Sequence, residues 1–229
     1  MHVLLTNDDG ISAPGLQALE NAVTQLGWQY TIVAPATEQS QCGHRVTTHQ
    51  HLRVEAIGEN RHAVHGTPAD CVRLALFALD LKPNLVLSGV NAGGNMGQDI
   101  VISGTVAAAR EAAYHGIRSM ALSHYMIREI AVDWQRTAAW MAEIVKETHA
   151  QDHARSTFWN INLPHLPVDQ SVLPPRILCH PASSPLNVSY RKEAQGYAYS
   201  ASYASRPRDP GSDVETCFSG KVSVSLLHV

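Results

Sequence analysis

Along the first two thirds of this 229-residue chain, a short apolar run ends in a polar, glycine-bearing turn and is followed by a helix-spaced segment, again and again. Residues 2–6 (HVLLT) are the first such run, and residues 14–27 (PGLQALENAVTQLG) then space Leu16, Leu19, Val23 and Leu26 at helical intervals. Pro14 suits a first helical turn, where an amide has no partner, and Gly27 suits a left-handed cap. Residues 29–34 (QYTIVA) read as a second strand ending at Pro35. This β-α-β unit predicts a parallel pair joined by a right-handed crossover.

The alternation continues. Segments 52–57 and 61–65 read as a hairpin around Gly58-Glu59-Asn60, and Thr67-Pro68-Ala69-Asp70 opens a helix running to about Leu81. Residues 84–88 (NLVLS) are apolar enough for a strand buried on both faces, followed by a glycine-rich turn and a small-residue helix starting near Ser103. Residues 117–123 read as another strand and 130–148 as an amphipathic helix. Beyond residue 150 the pieces FWNINLP, RILCH, YAYSAS and KVSVSLL are strand-like and separated by Pro, Gly and Ser. The expected architecture is an α/β doubly wound, mostly parallel sheet over residues 1–150 and a smaller β-rich part over residues 151–229.

Composition narrows the partners. With 20 acidic against 17 basic residues, a formal charge of -3 and no Lys/Arg run, the chain offers no footprint for duplex nucleic acid or an anionic membrane. The apolar run at the N-terminus is too short for a secretory signal, and no stretch approaches the roughly 20 apolar residues of a membrane span. Cys42, Cys71, Cys179 and Cys217 form no CxxC pair, which fits free thiols in a reducing compartment. A soluble cytoplasmic protein is expected. His49 and His51 would share one face of a strand, but two imidazoles leave a divalent ion mostly unsatisfied.

In parallel α/β sheets, ligands bind beyond the carboxyl ends of the strands. Three polar loops fall there: Asn7-Asp8-Asp9-Gly10, the long segment after Pro35, and Ser88 to Gly104. Adjacent Asp8 and Asp9 repel, and a bound dication relieves that repulsion; an ordinary Asp-Asp-Gly turn is the competing reading. The third loop has the composition of an anion cradle, with Ser103-Gly104-Thr105 opening a helix whose free amides can accept phosphate. Glycines that merely permit tight helix packing are the alternative. No lysine follows them, so this is not a P-loop, and the first turn lacks the glycines of a dinucleotide fingerprint.

Four ordered stretches carry a resemblance: NDDG at 7–10 with APG at 13–15; VAP at 33–35 with Ser40 five residues after the proline; GTPADCV at 66–72; and SGVNAGGNMG at 88–97 running into SGTVAAA at 103–109. Together they resemble the SurE family, the stationary-phase survival type of metal-dependent nucleotidase, with weaker echoes in NINLP at 160–164 and in residues 212–227. The resemblance implies a Rossmann-like domain, a β-rich C-terminal part used in oligomerisation as a homodimer or homotetramer, and hydrolysis of nucleoside 5′- and 3′-monophosphates. It implies one divalent ion per subunit, Mg²⁺, Mn²⁺ or similar, on Asp8, Asp9, Ser40 and Asn91. Asn7, Gly43, Asn91, Gly94, Asn95, Ser103, Gly104 and Thr105 would bind phosphate or substrate. The family places glycine directly after the ligand serine, whereas Gln41-Cys42-Gly43 follows Ser40 here.

The expected mechanism is a metal-activated water, with Asp8 and Asp9 as the catalytic residues, either of which could orient or deprotonate that water. A covalent aspartyl-phosphate is the competing route, and a phosphatase preferring polyphosphate or other small phosphoesters, or a nucleotide-binding module without turnover, are the competing functions. Cys42 could couple oxidation to activity or be an inert loop thiol.

Overall fold

The computed structural model describes residues 1–127 and 129–229. In chain order the elements are β1 (His2–Thr6), α1 (Pro14–Gln25), β2 (Gln29–Pro35), β3 (Val54–Gly58), β4 (Arg61–Val64), α2 (Pro68–Phe77), β5 (Leu85–Ala92), the short α3 (Asp99–Ile102), α4 (Gly104–Tyr114), β6 (Arg118–His124), α5 (Trp134–His149), β7 (Thr157–Leu163), β8 (Arg176–Leu178), β9 (Tyr190–Glu193), β10 (Gly196–Tyr199), α6 (Asp213–Phe218) and β11 (Val222–His228). Nine strands form one sheet in the order β3-β4-β2-β1-β5-β6-β7-β11-β8, and β9 and β10 form a separate hairpin. Strands β4, β2, β1, β5, β6 and β7 run parallel to their neighbours in that series. The chain beyond residue 150 contributes β7, β11 and β8 to the main sheet.

Strand alternation explains the two apolar layers. Val3 and Leu5 of β1, Ile32 of β2 and Leu85 and Leu87 of β5 pack with Leu16, Leu19, Met141 and Ile144 of α1 and α5. Leu4, Val33 and Val86, one residue out of phase, pack on the other face with Val72 and Ala75 of α2 and Ala108 and Ala112 of α4. Each fully buried Leu or Val contributes about 1.5–3 kcal/mol. The run of small residues on α4 lets its backbone lie close to the sheet.

Several boundaries moved for local reasons. Helix α2 is closed at its start by a capping box between Thr67 and Asp70, but it ends at Phe77 rather than near Leu81. Asp80 adopts φ +53° and the Leu81 amide turns back to the Ala75 carbonyl, which delivers the chain to β5. Helix α5 starts at Trp134 rather than at residue 130, because the Asp133 carboxylate caps the amides of Gln135 and Arg136. Strand β5 runs on to Ala92, through residues expected to be turn, with a register shift against β6 between Ser88 and Asn91. Gly89 is indispensable in that shift, since a Cβ there would sit 2.1 Å from the Leu122 carbonyl oxygen. Helix α6, within residues read as β-rich, is capped by Ser212.

Candidate active site

The sheet order reverses between β1 and β5: from β1 the chain builds outward through β2 and β4, then returns to the other side of β1 to lay down β5 and β6. Loops that diverge at such a point leave a crevice at the strand ends. The turn after β1 and the end of β5 flank it, and the Ala92 amide donates to Asp9 Oδ2 across it at 3.0 Å.

Asn7 shapes the first loop by donating from Nδ2 to the Gly10 carbonyl at 2.8 Å, while its Oδ1 is buried with no partner. Gly10 needs its φ of +101° and its missing side chain, because Thr37 and Glu38 backbone atoms lie 3.3 Å from where a Cβ would be. Asp8 is 5% exposed. Its carbonyl accepts from the Gln39 amide at 2.7 Å, its Oδ1 accepts from the Thr105 hydroxyl, and Gly104 presses against it so closely that a Cβ would lie 2.9 Å from Asp8 Cβ. That same Cβ would meet Cys42 Sγ at 2.9 Å. The first loop, the second loop and the start of α4 therefore converge on Asp8.

Electrostatically the pair is unsatisfied. Burial pushes the Asp8 carboxyl up to about 6, with the Asp9 charge adding to the rise and the Thr105 bond opposing it. Asp9 is also raised, by burial first and by the Glu38 charge, against the Ala92 bond. No Lys, Arg or His pairs with either carboxylate among the described residues.

The other expected residues fall into two groups. Asn91 donates from Nδ2 to the Gly93 carbonyl at 2.8 Å, which leaves its Oδ1 as the side-chain atom able to accept or ligate. Ser40, exposed, donates to Glu38 Oε1 at 2.6 Å. Gly43, at φ +57°, donates its amide to the Ile102 carbonyl at 2.9 Å and so fastens the second loop beside α4. Ser103 caps α4 through the Val106 amide at 3.1 Å, leaving the Gly104 and Thr105 amides without helical partners. Gly94 and Asn95 face elsewhere. The Gly94 carbonyl accepts from the Tyr203 hydroxyl at 3.3 Å, and buried Asn95 donates to Ser123 Oγ at 2.8 Å. The Asn95 backbone is held by Asn160 and Asn162.

Residues 95–99 of the glycine loop are thus gripped from beyond residue 150. Asp213 accepts from the Gly97 amide at 2.9 Å, Arg206 donates to the Met96 carbonyl at 3.2 Å, and Tyr203 donates to Asp99 at 2.8 Å. Sequence reasoning missed this grip because its partners lie 65 to 116 positions away. It also missed Glu38, the acid beside Asp9 and Ser40, and Glu111, a buried acid in an alanine-rich helix. Glu111 holds His44 of the second loop at 2.6 Å, Arg73 at 2.6 Å and His115 at 2.9 Å. A lone carboxylate in the run TVAAAREAA was the available signal. Asp70 anchors the same loop by accepting from the amide and hydroxyl of Thr47, both at 2.8 Å.

This donor set fits a hard divalent cation. No group of three or more His, Cys, Asp or Glu is placed to hold a metal among the described residues, so the loops present two carboxylates and neutral oxygens rather than a zinc-type cluster. Buried Asp8 and half-buried Asp9, bonded by the Thr105 hydroxyl and the Ala92 amide but by no cation among the described residues, are the kind of pair that such an ion stabilises. Cys42, by contrast, has its thiol raised by burial and by the Asp8 charge, which disfavours the reactive thiolate.

Comparison with known proteins agrees with this geometry. The profile of the family described as Survival protein SurE matches residues 3–178. Over 229 residues, and all of both chains, the protein is 44% identical to a candidate 5′-nucleotidase of Nostoc sp.. It is 39% identical to the 5′-nucleotidase SurE of Citrifermentans bemidjiense, covering all of this chain and 93% of that one. The crystal structure of the SurE protein from Aquifex aeolicus superposes with a TM-score of 0.85 at 32% identity, again covering all of this chain and 93% of the other. Matched in sequence profile, in full-length relatives and in fold, the chain belongs to the SurE family.

Proposed function

We propose that the protein is a divalent-metal-dependent phosphomonoesterase that hydrolyses nucleoside 5′-monophosphates, and 3′-monophosphates, to nucleoside and inorganic phosphate. The observation that carries the reading is the contact of Asp8 with Thr105 and Gly104, which sets an unneutralised carboxylate pair against the free amides opening an eleven-residue helix. Full-length relatives named as 5′-nucleotidases support the choice of substrate.

Asp8, Asp9 and Asn91 Oδ1 would hold the ion, with Ser40 joining once its hydroxyl leaves Glu38. When bound, a Mg²⁺ or Mn²⁺ ion supplies positive charge to the phosphoryl oxygens and acidifies a water. The chain's own part is to position and to stabilise charge. The Gly104 amide would donate to a phosphoryl oxygen, and glycine at this position keeps Asp8 in place because a side chain there would strike it. Thr105 fixes the Asp8 carboxylate so that its remaining oxygen is oriented. The water's oxygen bonds to phosphorus as the ester oxygen leaves, one water proton ending on the nucleoside hydroxyl and the other staying with phosphate.

Phosphate release from AMP with Mg²⁺ or Mn²⁺ tests the reading: release that survives exhaustive EDTA, or survives D8N, contradicts it. Mass spectrometry of an acid-quenched reaction separates the water route from an aspartyl-phosphate on Asp8 or Asp9. We place the enzyme in the cytoplasm, where its four free cysteines stay reduced. We assign the part after residue 150 a role in a homodimer or homotetramer, on the exposed Tyr190, Tyr197 and Tyr199 of the β9–β10 hairpin, which size-exclusion chromatography with light scattering would test.

A further inference from the structure

The glycine loop joins the two halves of the candidate site: Asn91 lies at the end of β5 on one side of it, and Ser103 and Gly104 open α4 on the other. From Gly94 to Gly97, every residue has a backbone group bonded by the chain beyond residue 150. Two of these partners, Arg206 and Tyr203, also meet at a side chain that follows the loop, the carboxylate of Asp99.

Arg206 is built into this place. Its side chain is 3% exposed, Nη1 donates to Asp99 Oδ2, and Nη2 donates to the Met96 carbonyl at 3.2 Å. The guanidinium lies 4.6 Å from the centre of the Tyr203 ring, whose hydroxyl donates to the same Asp99 oxygen at 2.8 Å. Desolvation of both charges offsets much of what a buried ion pair contributes to stability. Its geometric effect is not offset: a planar fork that satisfies a carboxylate and a carbonyl together fixes Asp99 relative to Met96. Asp99 in turn is one short helix away from the phosphate cradle. Its carbonyl accepts from the Ser103 amide at 3.0 Å, Ser103 caps α4, and Gly104 presses on Asp8. Guanidinium, Asp99, α3, Gly104 and Asp8 form an unbroken series of contacts.

We infer that Arg206 is a positioning residue for the phosphate cradle: through Asp99 and Met96 it sets where the Gly104 amide stands relative to Asp8, and Tyr203 holds the same carboxylate. The inference rests on the phosphomonoesterase reading and deepens it by making residues 203–206 part of what shapes the phosphoryl site. Arg206 acts through the loop. Its buried guanidinium is already bonded to Asp99 and Met96, so it does not reach phosphate itself.

Calorimetry, with Mg²⁺ present and no turnover required, measures inorganic phosphate binding to the wild type, R206Q, R206K and Y203F, each held well below its own melting temperature. R206Q is expected to weaken phosphate about fivefold or more, and Y203F about threefold. R206K keeps the charge beside Asp99 but loses the fork, so its affinity should fall between those of the wild type and R206Q. A brace that serves folding alone lowers the melting temperature and leaves the phosphate affinity of the folded protein unchanged; that result overturns the positioning role. If R206Q does not fold, Y203F decides, because it removes a single hydroxyl from an exposed ring. A wild type that binds no phosphate overturns the role as well. AMP hydrolysis by the wild type is scored separately. Phosphate binding that depends on Arg206, without phosphate release from AMP, breaks the nucleotidase reading alone. AMP hydrolysis with variant-insensitive phosphate binding breaks the positioning role alone.

Discussion

Two buried carboxylates lie along α4, and they are treated in opposite ways. At the helix start, Asp8 touches Gly104 and Thr105, has no cationic partner among the described residues, and burial lifts its carboxyl to about 6. Farther along the helix, Glu111 suffers the same burial, yet bonds from His44, Arg73 and His115 outweigh it and hold the group at about 2. Desolvation costs both acids; among the described residues only Glu111 is compensated by cationic partners. Glu111 is therefore a fastening that ties the second loop and α2 to α4, whereas Asp8 has no such cation among the described residues, as the proposed metal site requires.

The strongest way to break this contrast is D8N. Activity on AMP should fall about 10³-fold or more, while metal-free stability at neutral pH should hold or rise, because an uncompensated buried acid is gone. In the wild type, Mg²⁺ or Mn²⁺ at a hundred times its dissociation constant should add about 2.7 kcal/mol, read as a higher melting temperature, and D8N should lose that gain. A variant that is unstable but active would erase the distinction.

E111Q should behave in the reverse sense. It is expected to cost about 1–3 kcal/mol of folding stability by leaving Arg73 and its neighbours under-bonded, with a smaller change in activity. Because the folded group titrates near 2 against an unfolded value of 4.5, its stabilisation is complete above about 4.5 and is lost as pH falls toward 2. Urea melts across that range should show a steep acid limb in the wild type and a shallower one in E111Q.

G104A sharpens the comparison at its junction. A Cβ there meets Asp8 and Cys42 at 2.9 Å, so a loss of about 1–3 kcal/mol in chemical denaturation is expected, with a drop in kcat as Asp8 is displaced. The smallest effect is at Cys42. Its thiol is raised by burial and by the Asp8 charge, so alkylation at neutral pH should be slow and C42S should leave activity within about twofold. Rapid modification by iodoacetamide would contradict that.

Much of the fold was legible. The period of the apolar residues in 2–6, 14–27 and 29–34 reports local backbone geometry directly, and β1, α1 and β2 lie where it places them. The ends of α2 and α5 were less legible because they depend on whether Asp80 turns and Asp133 caps, choices that tertiary packing decides. The C-terminal strands were visible as apolar runs, but nothing local in FWNINLP says that β7 joins the main sheet beside β6, and α6 is too short to carry a period.

The same division runs through the site. From its order of residues alone, the chain specified a β-α-β start, an acidic pair at a strand end, a glycine-rich cradle and the family to which these belong, because each is written in contiguous residues. Only the tertiary structure decided that Gly104 and Thr105 press on Asp8, that among the described residues no base reaches the acid pair while three reach Glu111, and that residues 95–99 are gripped from residues 160–213. These are contacts between loops brought together by the reversal of strand order. A carboxylate's partners, and hence its charge state, are set by neighbours in space, which no contiguous stretch of sequence contains.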